Sequence, residues 1–427
     1  MTVPTFAVDV DQNPYLHEGA GRVDAIVTVT ASGAAAGAGA TPPPAAVEIV
    51  IVDCSASMAQ RKMRAARQAT TTAVAQIRDG VEFAVIAGTH EARQVYPPSG
   101  TATASRRTRA DAVRATTSLK SGGGTSISVW LTLARQLAEG HPGAVRHAIL
   151  LTDGQNGEPA EALRQALDAA AGTVVCDCRG VGTDWNVDEL RKISSALLGG
   201  FDIVAHPDDL AADFDTMMSA AMGKGVADVA LRLWTPKGSS VRFVKQVDPS
   251  IEDLSAKRTE SGTLRADYPL GVWGDETRSY HVCIEVPVHP VGAEMLAGRV
   301  SLVRDGSTDV LGQGLIKAGW TDDTALSTRI SRQVAHFTGQ AELAEAIQEG
   351  LAAHRDGDEP TATARLGRAV ALAAESGNEG TARLLERVVE VIDAPTGTVR
   401  LRAAVDKEDE MTLDTRSTKT VRVRGSD

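Results

Sequence analysis

Oxygen-bearing side chains stand at three separated places in the chain, in a pattern suited to holding a small divalent cation. The set consists of Asp53, Ser55 and Ser57 in one short segment, Thr125 after three glycines, and Asp153 in Leu151-Thr152-Asp153-Gly154. Oxygen atoms are the ligands that Mg²⁺ prefers, in an octahedral shell that usually keeps several waters. If the fold brings the three segments together, these residues form a site for Mg²⁺ or Mn²⁺.

Hydrophobic runs place both aspartates at the ends of buried strands. Residues 47–52 precede Asp53, and residues 147–151 lead to Asp153; both runs are typical of parallel strands. Open α/β sheets bind their ligands at the carboxyl ends of such strands. The glycines at 122–124 give the chain before Thr125 the freedom to approach an ion closely.

The three segments resemble the metal-ion-dependent adhesion site of von Willebrand factor A (VWA) domains. That site has the pattern Asp-x-Ser-x-Ser, a distant Thr after glycine, and an Asp in a Thr-Asp-Gly turn. The resemblance implies that Ser55, Ser57 and Thr125 bind the ion directly or nearly so, while Asp53 and Asp153 act mostly through bound water. It also implies an open coordination position for an Asp or Glu carboxylate of a partner protein. The alternative is a cluster of N-cap and loop hydroxyls that holds no metal.

The resemblance covers roughly residues 45–222, where strand and helix patterns alternate along the chain. Helical composition over 59–79 is followed by a strand pattern over 82–87 and by helical patterns near 107–118 and 128–139. Such alternation predicts an α/β doubly wound parallel sheet, which is the Rossmann-like architecture of VWA domains.

Period-two patterns typical of β-strands flank this segment on both sides. Residues 1–44 contain two such strands and an Ala-, Gly- and Pro-rich linker from residue 31, and residues 226–320 contain at least five more strands. Two strands are too few to bury a core of their own. We therefore predict one antiparallel β-sandwich built from both flanks, with the VWA domain inserted into it.

Residues 321–394 show apolar residues at helical spacing and predict a helical hairpin or small bundle, with turns at Gly357-Asp358 and Gly377-Asn378. Beyond them, residues 395–427 are charged and hydroxyl-rich, which predicts a disordered tail.

The tail also suggests a regulatory role. Its acidic run, residues 406–410, precedes several threonines and resembles the phospho-acceptor tails that bacterial Ser/Thr kinases modify and forkhead-associated (FHA) domains then bind. Thr412 and Thr415 are the predicted acceptors because acidic residues lie close upstream. The alternative is a solubilising tail that is never modified.

Composition excludes several classes of function. The net charge of −11 argues against nucleic acid as the main partner. No apolar stretch approaches the roughly 20 residues of a membrane span, and the N-terminal residues do not resemble a signal peptide. Four cysteines in 427 residues give no disulfide framework, and Cys54, inside the metal loop, is interpreted as a small buried filler. We expect a cytoplasmic protein.

No arrangement of residues indicates an enzyme. The nine histidines show no metal-binding pair, and Ser55 or Ser57 would need a nearby base to act as a nucleophile. The sequence therefore predicts a bacterial protein-interaction module that binds an acidic partner residue through Mg²⁺, as a scaffold or adaptor in Ser/Thr-kinase and FHA signalling. The alternatives are a kinase substrate that acts mainly through its tail and a metal-dependent phosphohydrolase.

Overall fold

The computed structural model describes residues 5–33, 45–304, 307 and 309–422. These residues form two compact units. The first contains residues 33, 45–228 and 271–274, and the second contains the remaining described residues. Most of the predicted linker, residues 34–44, lies outside the described residues.

Three N-terminal strands belong to the second unit: β1 (Thr5–Gln12), β2 (Tyr15–His17) and β3 (Arg22–Ser32). Strands β1 and β3 pair antiparallel along the whole of β1, from Thr5 opposite Ser32 to Gln12 opposite Ala25. Alternate residues of β3, such as Val23 and Val29, are buried, which is the burial pattern that a period-two sequence produces.

The first unit contains a seven-stranded sheet and six α-helices. Its strands are β4 (Ala46–Asp53), β5 (Glu82–Gly88), β6 (Ala92–Tyr96), β7 (Ala102–Thr103), β8 (Val145–Thr152), β9 (Val175–Val181) and β10 (Phe201–Val204). Its helices are α1 (Arg61–Gln76), α2 (Arg106–Thr116), α3 (Ile127–Glu139), α4 (Ala160–Ala170), α5 (Val187–Ala196) and α6 (Leu210–Met222).

The strand order in this sheet is β10-β9-β8-β4-β5-β6, with β7 also paired to β5. All pairs from β10 to β5 are parallel, whereas β6 and β7 pair antiparallel to β5. Every residue of the central strand β4 is buried. Val50 and Val52 share a hydrophobic core with α1 and α6, and Trp130 of α3 packs against β5 at Gly88. The predicted doubly wound parallel sheet is therefore confirmed.

A buried ionic row crosses three strands of this sheet. His147 on β8 lies between Glu48 on β4, with Nδ1 2.8 Å from Oε1, and Asp177 on β9, with Nε2 3.1 Å from Oδ2. Burial opposes protonation of the imidazole, but the charges and hydrogen bonds of Glu48 and Asp177 outweigh it and raise the pKa of His147 to about 10. At neutral pH the side chain of His147 is therefore the positively charged imidazolium.

Eight further strands lie wholly or mostly in the second unit: β11 (Val226–Trp234), β12 (Ser240–Asp248), β13 (Glu252–Asp253), β14 (Thr259–Gly262), β15 (Arg265–Trp273), β16 (Glu276–Glu285), β17 (Glu294–Arg304) and β18 (Val310–Thr321). They form two sheets with the orders β1-β3-β16-β12-β13 and β14-β15-β11-β17-β18-β2. Strand β3 pairs antiparallel with β16 from Arg22 opposite Glu285 to Ala31 opposite Glu276. The N-terminal strands are thus built into a sheet with strands more than two hundred residues away in sequence. The two sheets touch at Gly298 of β17, where an added Cβ would lie 2.7 Å from Cδ1 of Ile284 on β16.

The remaining elements are α7 (Thr324–Ser327), α8 (Arg332–Arg355), α9 (Glu359–Ser376), α10 (Glu379–Val388), β19 (Val389–Asp393), β20 (Thr398–Leu401) and α11 (Lys407–Arg416). Helices α8, α9 and α10 share a core to which α8 contributes Leu343, Ile347 and Leu351. Asp358 and Asn378 accept hydrogen bonds from the first turns of α9 and α10, at the two predicted turns. None of the helices in the described part of the chain has the length and apolar character needed to span a bilayer.

The prediction of a disordered tail is wrong for most of residues 395–427. Strand β20 pairs with β19, and residues 411–415 of α11 are buried, with Leu413 inside the core of the C-terminal helices. The acidic run is ordered because it forms the start of α11. Asp406 accepts a hydrogen bond from the backbone N–H of Glu408, and acidic residues in the first turn favour the helix dipole. The last part of the predicted tail, residues 423–427, lies outside the described residues.

The phosphorylation prediction loses its physical basis with this correction. Thr412 and Thr415 lie on α11 with relative exposures of 8% and 1%. The following residues are also held in place, since Ile251 donates its backbone N–H to the carbonyl of Thr418 and Arg422 pairs with Asp248. A kinase needs an extended, accessible acceptor segment, and the folded chain does not offer one at either threonine.

Candidate metal site

The predicted metal residues lie in three neighbouring loops at the carboxyl edge of the first unit's sheet. Strands β4 and β8 are adjacent and parallel, with Val52 opposite Leu151, so Asp53 ends β4 beside Thr152, and Asp153 follows directly after β8. Thr125 precedes α3 in the loop that follows α2. The structure therefore brings all five predicted residues to one edge of the sheet.

The carboxylate of Asp53 is buried and organises its own loop. Its Oδ1 accepts the backbone N–H of Ser55 at 2.7 Å, and its Oδ2 accepts the hydroxyl of Thr152 at 2.6 Å. Burial raises the pKa of Asp53, and the negative charge of Asp153 acts in the same direction, against the hydrogen bonds from Ser55 and Thr152. A cation placed between these two carboxylates would relieve that unfavourable interaction.

A chain of hydroxyl contacts joins the first loop to Asp153. The Oγ atoms of Ser55 and Ser57 are 2.9 Å apart, and the Ser57 hydroxyl donates to Oδ1 of Asp153 at 2.7 Å. The side chain of Asp153 has no solvent exposure, while Ser57 is exposed. The Ser57 hydroxyl therefore lies between a buried carboxylate and solvent, while Ser55 is buried.

The surroundings of Gly154 show that the loop carrying Thr125 belongs to the same site as the Asp53 and Asp153 loops. A Cβ added to this glycine would lie 2.9 Å from Oγ of Ser57, 3.5 Å from Oγ1 of Thr125 and 3.8 Å from Oγ of Ser55. The three hydroxyl oxygens thus surround one small volume next to the Gly154 backbone. A glycine leaves that volume free of side-chain atoms.

The glycine loop before Thr125 is bound to the first loop by backbone hydrogen bonds. Gly122 donates its N–H to the carbonyl of Cys54 at 2.8 Å, and Ala56 donates its N–H to the carbonyl of Gly123 at 3.0 Å. Gly123 has a φ of +81°, a conformation that other residue types rarely adopt. The geometry agrees with the expectation that glycine is needed here for close approach.

Two residues that sequence reasoning missed attach the Thr125 loop to the Asp153 loop. Helix α3 begins without a side-chain cap of its own, and Asn156 and Glu158 supply the acceptors instead. Oδ1 of Asn156 accepts the N–H of Ile127 at 3.2 Å, and Oε1 of Glu158 accepts the N–H of Ser128 at 2.8 Å. A cap usually comes from the residue before the helix, so no local sequence signal indicated a cap from a loop 30 residues away.

Lys62 was also missed. Its ammonium lies 2.5 Å from Oδ2 of Asp153 and 3.4 Å from Oδ2 of Asp184. The hydrophobic pattern of α1 marks Lys62 as a surface residue near the helix start, and its partner is apparent only from the three-dimensional structure.

The donor set fits a hard divalent cation. It consists of two carboxylates and three hydroxyls, all oxygen ligands of the kind that Mg²⁺ and Mn²⁺ accept. Across the described residues there is no group of three or more His, Cys, Asp or Glu placed to hold a metal ion, so a softer His- or Cys-based centre has no candidate there. Burial and the charge of Asp53 raise the pKa of the Cys54 thiol to about 12, which keeps the thiol protonated.

Comparisons with known proteins agree with this fold. The family profile of the von Willebrand factor type A domain matches residues 47–202, and that of the von Willebrand factor type A C-terminal domain matches residues 371–417. Among curated proteins, none matches the chain.

Two solved structures resemble the chain over almost its whole length. A von Willebrand factor type A protein from Catenulispora acidiphila is 48% identical, with 98% of each chain covered and a TM-score of 0.93. The ArnB paralog VWA2 from Sulfolobus acidocaldarius is 14% identical, with 97% of this chain and 98% of that chain covered and a TM-score of 0.60, a likeness of fold alone. On the identity and coverage of the first of these, the chain belongs to the von Willebrand factor type A family.

Proposed function

We propose that this chain is a protein-interaction module that binds an acidic residue of a partner protein through a divalent cation, Mg²⁺ or Mn²⁺. The cation would be held by Asp53, Ser55, Ser57, Thr125 and Asp153. VWA domains are generally protein-interaction modules, and the metal dependence and the acidic ligand are the parts that we propose for this chain.

The observation that carries the proposal is the convergence of three hydroxyls from two loops beside Gly154. Hydroxyl oxygens that merely cap local turns would point to their own backbone, whereas Ser55, Ser57 and Thr125 face a common volume bordered by Asp153. We assign the three hydroxyls as direct ligands. We assign Asp53, whose oxygens accept hydrogen bonds from Ser55 and Thr152, a role through bound water.

A cation in this site would supply a Lewis-acidic position for a carboxylate oxygen. The direct hydroxyl ligands are uncharged, and a carboxylate that acts through bound water offsets the charge of the ion less than a direct ligand does, so the bound ion would keep an affinity for a further anionic ligand. We therefore expect weak binding of the metal alone and stronger binding when an acidic ligand is present.

Titration with Mn²⁺, followed by water-proton relaxation, tests the metal half of the proposal. We expect one site in the wild-type chain and loss of that site in Thr125→Ala. Thr117→Ala is the matched control because Thr117 is exposed and its hydroxyl donates to the carbonyl of Arg114, outside the site. Equal Mn²⁺ binding by wild type and Thr125→Ala would refute the assignment.

Two peptides that differ in one residue test the ligand half. A short peptide with a single Glu should displace water from Mn²⁺ in the loaded protein, and the same peptide with Gln should not. If the two peptides act alike, the acidic-ligand proposal is wrong even if the metal site is present.

We propose that the chain is not an enzyme. Ser57 donates its hydroxyl to Asp153, whose other oxygen contacts the ammonium of Lys62, and this arrangement neutralises the carboxylate that would have to act as a base. Mg²⁺-dependent turnover of p-nitrophenyl phosphate that is lost in Thr125→Ala would instead support a phosphohydrolase.

The kinase and FHA role does not enter the proposal, because its acceptor threonines are buried on α11.

The proposal includes a cytoplasmic location. All four cysteines are free and buried, as expected for a reducing compartment. Cell fractionation tests the location.

A further inference from the structure

Lys62 is a cation built into the edge of the candidate metal site. It is the second residue of α1, and its Nζ lies 2.5 Å from Oδ2 of Asp153. The other oxygen of that carboxylate, Oδ1, accepts the Ser57 hydroxyl. Lys62 and Ser57 therefore share one buried carboxylate from opposite oxygens.

The aliphatic stem of Lys62 lies close to the chain segment that follows β9. Cε of Lys62 lies 3.9 Å from the point that a Cβ on Gly182 would occupy, so the aliphatic stem extends over the end of β9. The side chain is 24% exposed. Burial alone would lower the pKa of Lys62, but hydrogen bonds and charge from Asp153 and Asp184 outweigh burial and raise it.

Charge balance gives this lysine two opposite effects. In the metal-free site, the ammonium already neutralises Asp153 and repels a second cation, so it opposes metal binding. In the loaded site, two carboxylates and a divalent ion sum to zero, and Lys62 makes the total positive. A positive site attracts an anionic ligand. Asp184 offsets this only in part, because its side chain is 65% exposed and therefore well screened.

We propose that Lys62 is a tethered cation that weakens divalent metal binding in the ligand-free site and strengthens binding of a carboxylate to the metal-loaded site. This inference rests on the proposed function. It adds a residue outside the five-residue metal pattern. With Lys62 present, the state with both metal and carboxylate bound is favoured relative to the state with metal alone.

Lys62→Met tests the charge because methionine keeps an unbranched stem without the ammonium. We expect Lys62→Met to bind Mn²⁺ about fivefold more tightly than wild type in the absence of ligand, as expected for removal of one partly screened charge. Acetate, the simplest carboxylate probe, should bind the Mn²⁺-loaded variant about fivefold more weakly. Water-proton relaxation measures both constants.

Two further variants separate charge from structure. Lys62→Arg keeps the charge and should behave like wild type in both titrations. Arg61→Gln is the control, since Arg61 is the preceding residue on the same helix and its guanidinium pairs with Asp208 rather than with the site. It should leave both constants unchanged.

The outcomes distinguish the two proposals. If wild type binds no Mn²⁺, the proposed function fails and this inference fails with it. If wild type binds Mn²⁺ and acetate but Lys62→Met leaves both constants unchanged, or changes them in the same direction, only the inference about Lys62 is refuted. Opposite changes in Lys62→Met, with wild-type behaviour in Lys62→Arg, would support it.

Discussion

Replacing Gly154 with alanine should weaken binding of a divalent cation without unfolding the protein. The new methyl group would enter the volume shared by the hydroxyls of Ser55, Ser57 and Thr125. The backbone of Gly154 does not have a φ in the left-handed range, so alanine fits the local conformation. The substitution therefore tests the site itself rather than the loop.

The expected effect follows from the distances. The methyl carbon would start 2.9 Å from Oγ of Ser57, whereas ordinary contact begins at 3.4 Å, so this oxygen must move by about 0.5 Å. Mg²⁺ requires near-ideal octahedral geometry with bonds of about 2.0–2.1 Å and does not tolerate such a shift. We expect Mg²⁺ and Mn²⁺ affinity to fall by roughly 10–100-fold, the range measured when residues that orient metal ligands are changed.

The cost in stability should be limited. Moving Ser57 weakens its hydrogen bond to the Asp153 carboxylate, and an intact hydrogen bond to a charged group contributes about 1.5–3 kcal/mol. Alanine in place of glycine restricts the unfolded chain and returns about 0.4–1 kcal/mol. The free energy of unfolding should therefore fall by less than about 3 kcal/mol, measured by urea denaturation without metal.

Calorimetric titration with Mg²⁺, Mn²⁺ and Ca²⁺ measures the binding. Ca²⁺ should lose less affinity than Mg²⁺, because its bonds are longer and its geometry is more flexible. Gly124→Ala is the control: it lies next to Thr125, but an added Cβ would meet only Cβ of His90, at 3.9 Å. Unchanged Mg²⁺ binding by Gly154→Ala would refute the placement of the three hydroxyls around this glycine.

Three further predictions concern the framework of the site and the corrected tail. Glu158→Gln weakens the hydrogen bond to the N–H of Ser128 and should cost about 1 kcal/mol of stability together with metal affinity, measured by urea denaturation and Mn²⁺ titration. Because the folded pKa of His147 is raised to about 10, its contribution to stability should be full below its unfolded value of about 6.5 and be lost as the pH rises to 10. Thermal melts of wild type and His147→Gln should therefore differ most below pH 6.5 and converge toward pH 10, and a constant difference would contradict the assignment. Leu413→Ala should lower stability by about 2–5 kcal/mol, since Leu413 has no solvent exposure, whereas a disordered tail would show no effect in the same denaturation assay.

The sheet, and the meeting of the five candidate metal residues at one edge of it, could be predicted because their signals are local. Each parallel strand is a short apolar run, and the run ends where the polar loop begins, as at Asp53 and Asp153. Parallel strands place those ends at one edge, so two loops far apart in sequence could be assigned to one site. The antiparallel edge strands β6 and β7 carry weaker patterns and were not predicted.

The residues that support the site could not be found in the same way. Glu158 caps α3, a helix to which it does not belong. Lys62 lies on α1 and contacts Asp153, which follows β8. Their roles depend on which loops become neighbours after folding. A charged residue near a helix start has the same sequence appearance whether it faces solvent or a buried carboxylate.

The prediction of a disordered tail was wrong for a related reason. Charge and hydroxyl content predict disorder when a segment cannot bury enough apolar surface. In α11, Leu413 completes a core supplied by α8, α9 and α10, so few apolar residues of its own are sufficient. Composition describes what a segment contributes and contains no information about what its neighbours provide.

The same dependence on neighbours explains how the site keeps two buried carboxylates close together before metal binds. Asp53 satisfies both oxygens with donors from its own loop and from Thr152, and Asp153 satisfies its oxygens with Ser57 and Lys62. A buried charge without such partners would be strongly destabilising. The loops are therefore held in position by protein donors, and a divalent cation would find its ligands already assembled. Since the Lys62 ammonium occupies one of those oxygens, the arrangement that stabilises the site without metal would also limit how tightly metal alone binds, as we propose for Lys62.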